Sequence, residues 1–226
     1  MIATTLAGWG VALAVLVVAS FAARAEGRMW ARRAVALLAL YLIALALAGW
    51  LLPASWAAWG SAVAAFAVLL TAQPFIALGA LQPAEIGLTA PRAGTMRVVI
   101  LAIGLALLLN VVVMIVRGAA PVRVMGTTAA AVLVAAVLEE LVFRGVLLAL
   151  LDRALPQRWR IAGAYIGWGG VALTLSFVAL HGLRPGLLLG VLPAALLYLW
   201  LRERTGSLLA PIAAHLAWNL SVLFVH

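Results

Sequence analysis

Two adjacent acids, Glu139 and Glu140, sit inside the apolar run Ala-Ala-Val-Leu-Glu139-Glu140-Leu-Val-Phe143-Arg144-Gly145-Val-Leu-Leu. Each charge at the centre of a membrane helix costs roughly 2.5–3.5 kcal/mol on insertion scales. Helix formation requires none of that expense, so the three charges predict a compensating role. On helical spacing Glu140 and Arg144 share a face and can pair. Glu139 is turned by about 100° from Glu140 and has no such partner on its own helix. The bland reading, a buried ion network between helices, suits Arg144 and Glu140 better than Glu139.

Two histidines also lie in apolar runs. His181 ends Phe177-Val-Ala-Leu-His181, and His215 precedes Asn219 by four residues, on one face. Singly, each is expected to be a helix–helix hydrogen bonder. Together with an unpaired Glu they make a different set: a carboxylate, two imidazoles and an amide available from three helices. Peptide hydrolysis needs these groups. Glu or His can take a proton from water, and His and Asn can donate to a tetrahedral oxyanion. Ser176, five residues before His181, is badly spaced for a serine nucleophile.

The elements that must position these residues are membrane helices. Of 226 residues, 68% are hydrophobic and 9% charged, against about half and a quarter in soluble domains. The chain is expected to be an all-α, polytopic membrane bundle forming a single domain over 1–226. Eight segments are predicted to span: 2–23, 33–52, 56–80, 97–116, 127–151, 161–181, 185–201 and 207–225. Pro74 predicts a kink or early stop in the third, and Pro193 a tilted or partly re-entrant seventh. The 81–96 connection carries Pro83, Gly87, Pro91 and Gly94 and reads as a loop. The first run lacks a basic leader and a cleavage site, which predicts a retained helix and not a signal peptide.

All fifteen basic residues are Arg. Eleven fall on one side of the eight-span topology: Arg24, Arg28, Arg32, Arg33, Arg92, Arg97, Arg153, Arg158, Arg160, Arg202 and Arg204. Arg117, Arg123 and Arg184 fall on the other, so the first set is assigned to the cytoplasm and both termini outside. Glu26, Glu85, Asp152 and Glu203 are expected to be solvated partners of nearby arginines. The charge is a topology signal without an aromatic-interleaved groove, so nucleic acid is not an expected partner. Without Cys there is no disulfide or thiolate metal site. No repeat suggests an inverted-repeat transporter. The Ala/Leu/Arg bias fits a high-GC bacterium and its inner (plasma) membrane.

At its polar residues the chain resembles the CPBP family, which includes type II CAAX prenyl endopeptidases and bacteriocin-processing or immunity (Abi) proteins. The family's EExxxR, FxxxH and HxxxN/D motifs stand here as Glu139-Glu140-x-x-x-Arg144, Phe177-x-x-x-His181 and His215-x-x-x-Asn219, in order, over about 127–225. The resemblance implies an intramembrane endopeptidase acting on a membrane-associated peptide or protein. It implies that Glu139 activates water with help from His181, that His215 and Asn219 form an oxyanion hole, that Glu140 and Arg144 are a structural ion pair, and that Phe177 packs. No HExxH is present, and a metal-free mechanism is favoured; were zinc bound, Glu139, His181 and His215 would be its ligands. The alternative within the family is a non-proteolytic membrane scaffold or immunity protein. A bacterial chain is not expected to have a prenylated CAAX substrate of its own.

Overall fold

The computed structural model describes residues 2–117 and 127–224. The chain is mostly helical: α1 (Ile2–Phe21), α2 (Arg28–Leu51), a short 3₁₀ turn (Ala54–Trp59), α3 (Gly60–Ala77), α4 (Met96–Arg117), α5 (Thr127–Glu140), a π-helical stretch (Leu141–Leu147), α6 (Leu148–Ala154), α7 (Trp168–Leu180), α8 (Pro185–Thr205) and α9 (Leu209–Phe224). Leu- and Ala-rich runs favour this state because helices satisfy their own backbone groups in an apolar medium. α5, the π stretch and α6 form one rod, 127–154. Its middle residues Val142, Phe143, Val146 and Leu147 lie in the main core. α2 and α3 pack on this rod, α1 packs on α7, and α4, α5 and α8 meet α9.

Close helix approach explains the α1–α7 seam. A Cβ on Gly8 would stand 2.3 Å from the Ala179 carbonyl oxygen. Four residues on, the Ser176 hydroxyl donates to the carbonyls of Ala12 (2.9 Å) and Ala172 (3.0 Å). Ser176 is thus a buried structural donor.

The count of about eight spans does not hold by length and composition. Among the described residues three helices are long and apolar enough to cross a membrane: Arg28–Leu51, Ala54–Ala77 and Met96–Ile115. α7 has 13 residues, about 20 Å of helix, against a hydrocarbon core of about 30 Å. α9 has 16 residues, and the central rod carries five charged side chains: Glu139, Glu140, Arg144, Asp152 and Arg153.

The sixth predicted segment starts late for a specific reason. Residues 158–161 and 164–167 form an antiparallel hairpin, with Ile161 opposite Ala164. Its two turn residues, Ala162 and Gly163, both have positive φ (46° and 78°), the geometry of a tight hairpin turn matching strand twist. Pro193 does not interrupt α8, which is helical through Thr205. α3 ends at Ala77, three residues after Pro74. The 78–95 connection is irregular, as its prolines and glycines predict.

Arg92, Arg153, Arg158, Arg202 and Arg204 gather at one end of the bundle, where Gly27 also meets Ala154. Arg123 lies outside the described residues. Asp152 and Glu203 are not solvated partners there. They are largely buried, and both bind Arg158, at 2.5 and 3.1 Å. Glu85 takes a two-pronged contact from Arg153, at 2.9 and 2.7 Å. A cavity of about 330 Å³ lies among these groups.

Candidate active site

The π-helical stretch begins directly after the two acids. Such segments widen a helix locally and recur at functional sites. Gly145 within it lets neighbours close in: a Cβ there would stand 3.2 Å from Leu208 Cδ1 and 3.4 Å from the Ile86 carbonyl oxygen. The Arg144 carbonyl accepts a hydrogen bond from Arg202 Nε at 3.1 Å, and Arg202 Nη2 donates to the Glu85 carbonyl at 2.6 Å. Arg202 therefore fastens the π stretch to the charged end of the bundle.

Glu140 is fully buried and Arg144 is 2% exposed. Arg144 Nη1 lies 3.0 Å from Glu140 Oε1, and Nη2 donates to the Ala195 carbonyl at 3.4 Å. The guanidinium also stands over the rings of Phe177 (4.1 Å) and Tyr198 (5.7 Å), so its charge meets both an anion and ring faces. His215 joins the pair: its Nδ1 is 2.9 Å from the same Glu140 Oε1. The ion pair is thus a three-member network.

Glu139 faces elsewhere, as its helical angle requires. It is half-buried, and Ser61 Oγ donates to its Oε1 at 2.5 Å. The buried Tyr41 hydroxyl lies within electrostatic and hydrogen-bonding range of both Glu139 and Ser61. Among the described residues Glu139 has no cationic partner and no hydrogen bond to either histidine.

Both motif histidines lie against Phe177. Its ring meets Phe143 edge-on at 5.1 Å, His181 at 4.7 Å and His215 at 6.3 Å. Phe143 in turn meets Tyr41, beside Glu139, at 5.4 Å. One aromatic cluster therefore joins the Glu139 side to the two histidines. His181 is the exposed C-cap of α7, and its Nδ1 lies 2.9 Å from the Phe177 carbonyl. That carbonyl only accepts, so Nδ1 carries the hydrogen and Nε2 is left for other work. His215 stacks on Tyr198 at 4.9 Å. Asn219, one helical turn on, donates from Nδ2 to the Val132 carbonyl at 3.5 Å.

Among the described residues no three His, Asp or Glu side chains meet at metal-ligating spacing. Glu139, His181 and His215 are directed at three different partners, and this arrangement does not fit a zinc ion held by all three.

Ser61, Tyr41 and Tyr198 are site neighbours that carry no motif. Tyr41 had one available signal. It is a phenol in the middle of an apolar helix, where a buried hydroxyl usually finds a polar partner. Nothing in the sequence around Ser61 marks it.

Residues 121–221 match the family model described as Type II CAAX prenyl endopeptidase Rce1-like. No curated protein and no solved structure matches the chain. The matched segment contains Glu139, Glu140, Arg144, Phe177, His181, His215 and Asn219. It contains neither Tyr41 nor Ser61.

Proposed function

We propose that this membrane protein, whose residues 121–221 match the model of a protease family, Type II CAAX prenyl endopeptidase Rce1-like, is an intramembrane endopeptidase whose Glu139 carboxylate activates water. One observation carries the assignment of the base. Glu140 is already held by Arg144 and His215 through one oxygen, whereas Glu139 meets hydroxyl groups and no cation. Glu140 is fully buried with two nitrogen donors on Oε1 and, among the described residues, no partner on Oε2. This puts it out of reach of solvent and makes it a poor proton acceptor, whereas Glu139 is half-buried. A carboxylate that accepts only from hydroxyls keeps lone pairs for water.

Ser61 takes one lone pair of Glu139 Oε1, and the carboxylate has further lone pairs for proton transfer. As the water oxygen bonds to the scissile carbonyl carbon, Glu139 takes its proton and the carbonyl π pair becomes an oxyanion. Collapse of that intermediate breaks the C–N bond, and the leaving amine takes the proton back. His181 Nε2, free of the Phe177 contact, assists this transfer. The Asn219 amide donates to the oxyanion without any change of protonation. His215 behaves differently: its Nδ1 faces Glu140 at 2.9 Å, so only Nε2 is left to face the oxyanion. The substrate is a membrane-associated protein whose scissile segment enters among these helices.

The test compares wild type with Glu139→Ala on a farnesylated CAAX reporter peptide in micelles and on the native membrane proteome. Products seen with wild type and absent from the variant support the assignment. Cleavage retained by Glu139→Ala overturns it.

A further inference from the structure

Several helical hydroxyls among the described residues return to their own backbone. Ser20 donates to Val17 O, Thr71 to Ala67 O, and Thr205 to Leu201 O, at 2.6–2.9 Å. Ser176 also bonds its own helix, through Ala172 O. This is the usual resting place of Ser and Thr in apolar helices. Ser61 departs from it. On the first turn of α3, its hydroxyl crosses to a carboxylate 78 residues away. Tyr41, on α2 and 3% exposed, brings a second hydroxyl to the same place. Its ring is fixed edge-on against Phe143 of the π stretch. Two hydroxyls from two helices thus meet the one acid of the site that lacks a cation.

We propose that Ser61 and Tyr41 are positioning residues for Glu139: their hydroxyls fix the rotamer of the carboxylate, so that it faces the water it deprotonates. The inference rests on the reading of Glu139 as the base. It gives the part of the chain before residue 121 a share in the chemistry, beyond carrying membrane spans. The physical need is clear. Glu has three side-chain torsions, and a general base works only when held within hydrogen-bond reach of the proton it takes. A charged hydrogen bond inside a low-dielectric site is also among the stronger ones.

Two measurements test it together. The chain has no Cys, so the Ser61→Cys/Glu139→Cys double variant offers a single thiol pair. A short bis-methanethiosulfonate reagent should crosslink α3 to α5 in native membranes; absence of the crosslink overturns the juxtaposition. Kinetically, Ser61→Ala and Tyr41→Phe should each lower kcat on the farnesylated reporter about ten- to a hundredfold with KM little changed. Ser61→Thr, which keeps the hydroxyl, should restore most of the rate. A rise in KM at constant kcat, or equal activity in Ser61→Ala and Ser61→Thr, overturns the positioning role while leaving the Glu139 assignment standing. Retained cleavage in Glu139→Ala, or a wild type that cleaves no reporter and no membrane protein, removes that assignment and this role with it.

Discussion

His215 Nδ1 and Arg144 Nη1 share a single oxygen of Glu140, at 2.9 and 3.0 Å. The pairing ties α9 to the π stretch of the central rod among buried side chains. Removing one member of a buried charge network leaves the others uncompensated, at a cost of about 3–5 kcal/mol. Glu140→Ala and Arg144→Ala should therefore lower the melting temperature in detergent strongly. His215→Ala leaves the Glu140–Arg144 pair intact and should cost less. Equal melting of all three variants would show that the network does not work this way.

Glu139 should separate from Glu140 in the same experiment. Glu139→Gln keeps shape and the Ser61 contact, so its melting should stay close to wild type. Its cleavage rate should fall about 10²–10⁴-fold, the usual contribution of a general base. Thermal melts and reporter turnover on one preparation check both halves.

Asn219 should matter to rate without mattering to binding. Its amide is the donor that needs no proton, and loss of one oxyanion donor typically costs about 10²–10³ in kcat. Asn219→Ala should show that loss with KM preserved. A change confined to KM would place Asn219 in substrate recognition instead.

The charged end of the bundle should respond to pH. Asp152 lies beyond the apolar run that ends at Leu151. Burial and the neighbouring Glu203 push its carboxyl up to about 7, against the pull of Arg158 and Arg202. An unfolded Asp titrates near 3.9, so between the two values the folded state holds a proton that the unfolded chain releases. This contribution to stability is full below about pH 4 and is lost as pH rises through 7. The melting temperature of Asp152→Asn, relative to wild type, should therefore climb between pH 5 and 8. A constant difference over that range would refute the coupling.

Gly8 should be intolerant of any side chain. With 2.3 Å between its hypothetical Cβ and the Ala179 oxygen, Gly8→Val must push α1 from α7 and strain the Ser176–Ala12 hydrogen bond. Melting in detergent should drop markedly, with a smaller drop for Gly8→Ala.

The sequence by itself determined the helical membrane character, the three motifs and the different facing of the two acids. Hydrophobic content needs no coordinates, and helical rotation separates Glu139 from Glu140 whatever surrounds them. It also showed the loop before α4, because Pro removes a backbone donor and Gly allows the positive φ that Gly87 and Gly94 adopt. Tertiary structure alone decided who meets each acid. His215 is 75 residues from Glu140 and Ser61 is 78 from Glu139, and no local pattern reports contacts at that range. Packing also decided that Asp152 and Glu203 are buried together, although in the sequence they look like ordinary surface acids. The number of spans is not legible in the sequence for a related reason. An apolar run reports burial, and a helix such as α7 can be buried among other helices without being long enough to cross the bilayer. The opening pair of acids was therefore half legible: their divergence is a property of the helix, and their partners are a property of the fold.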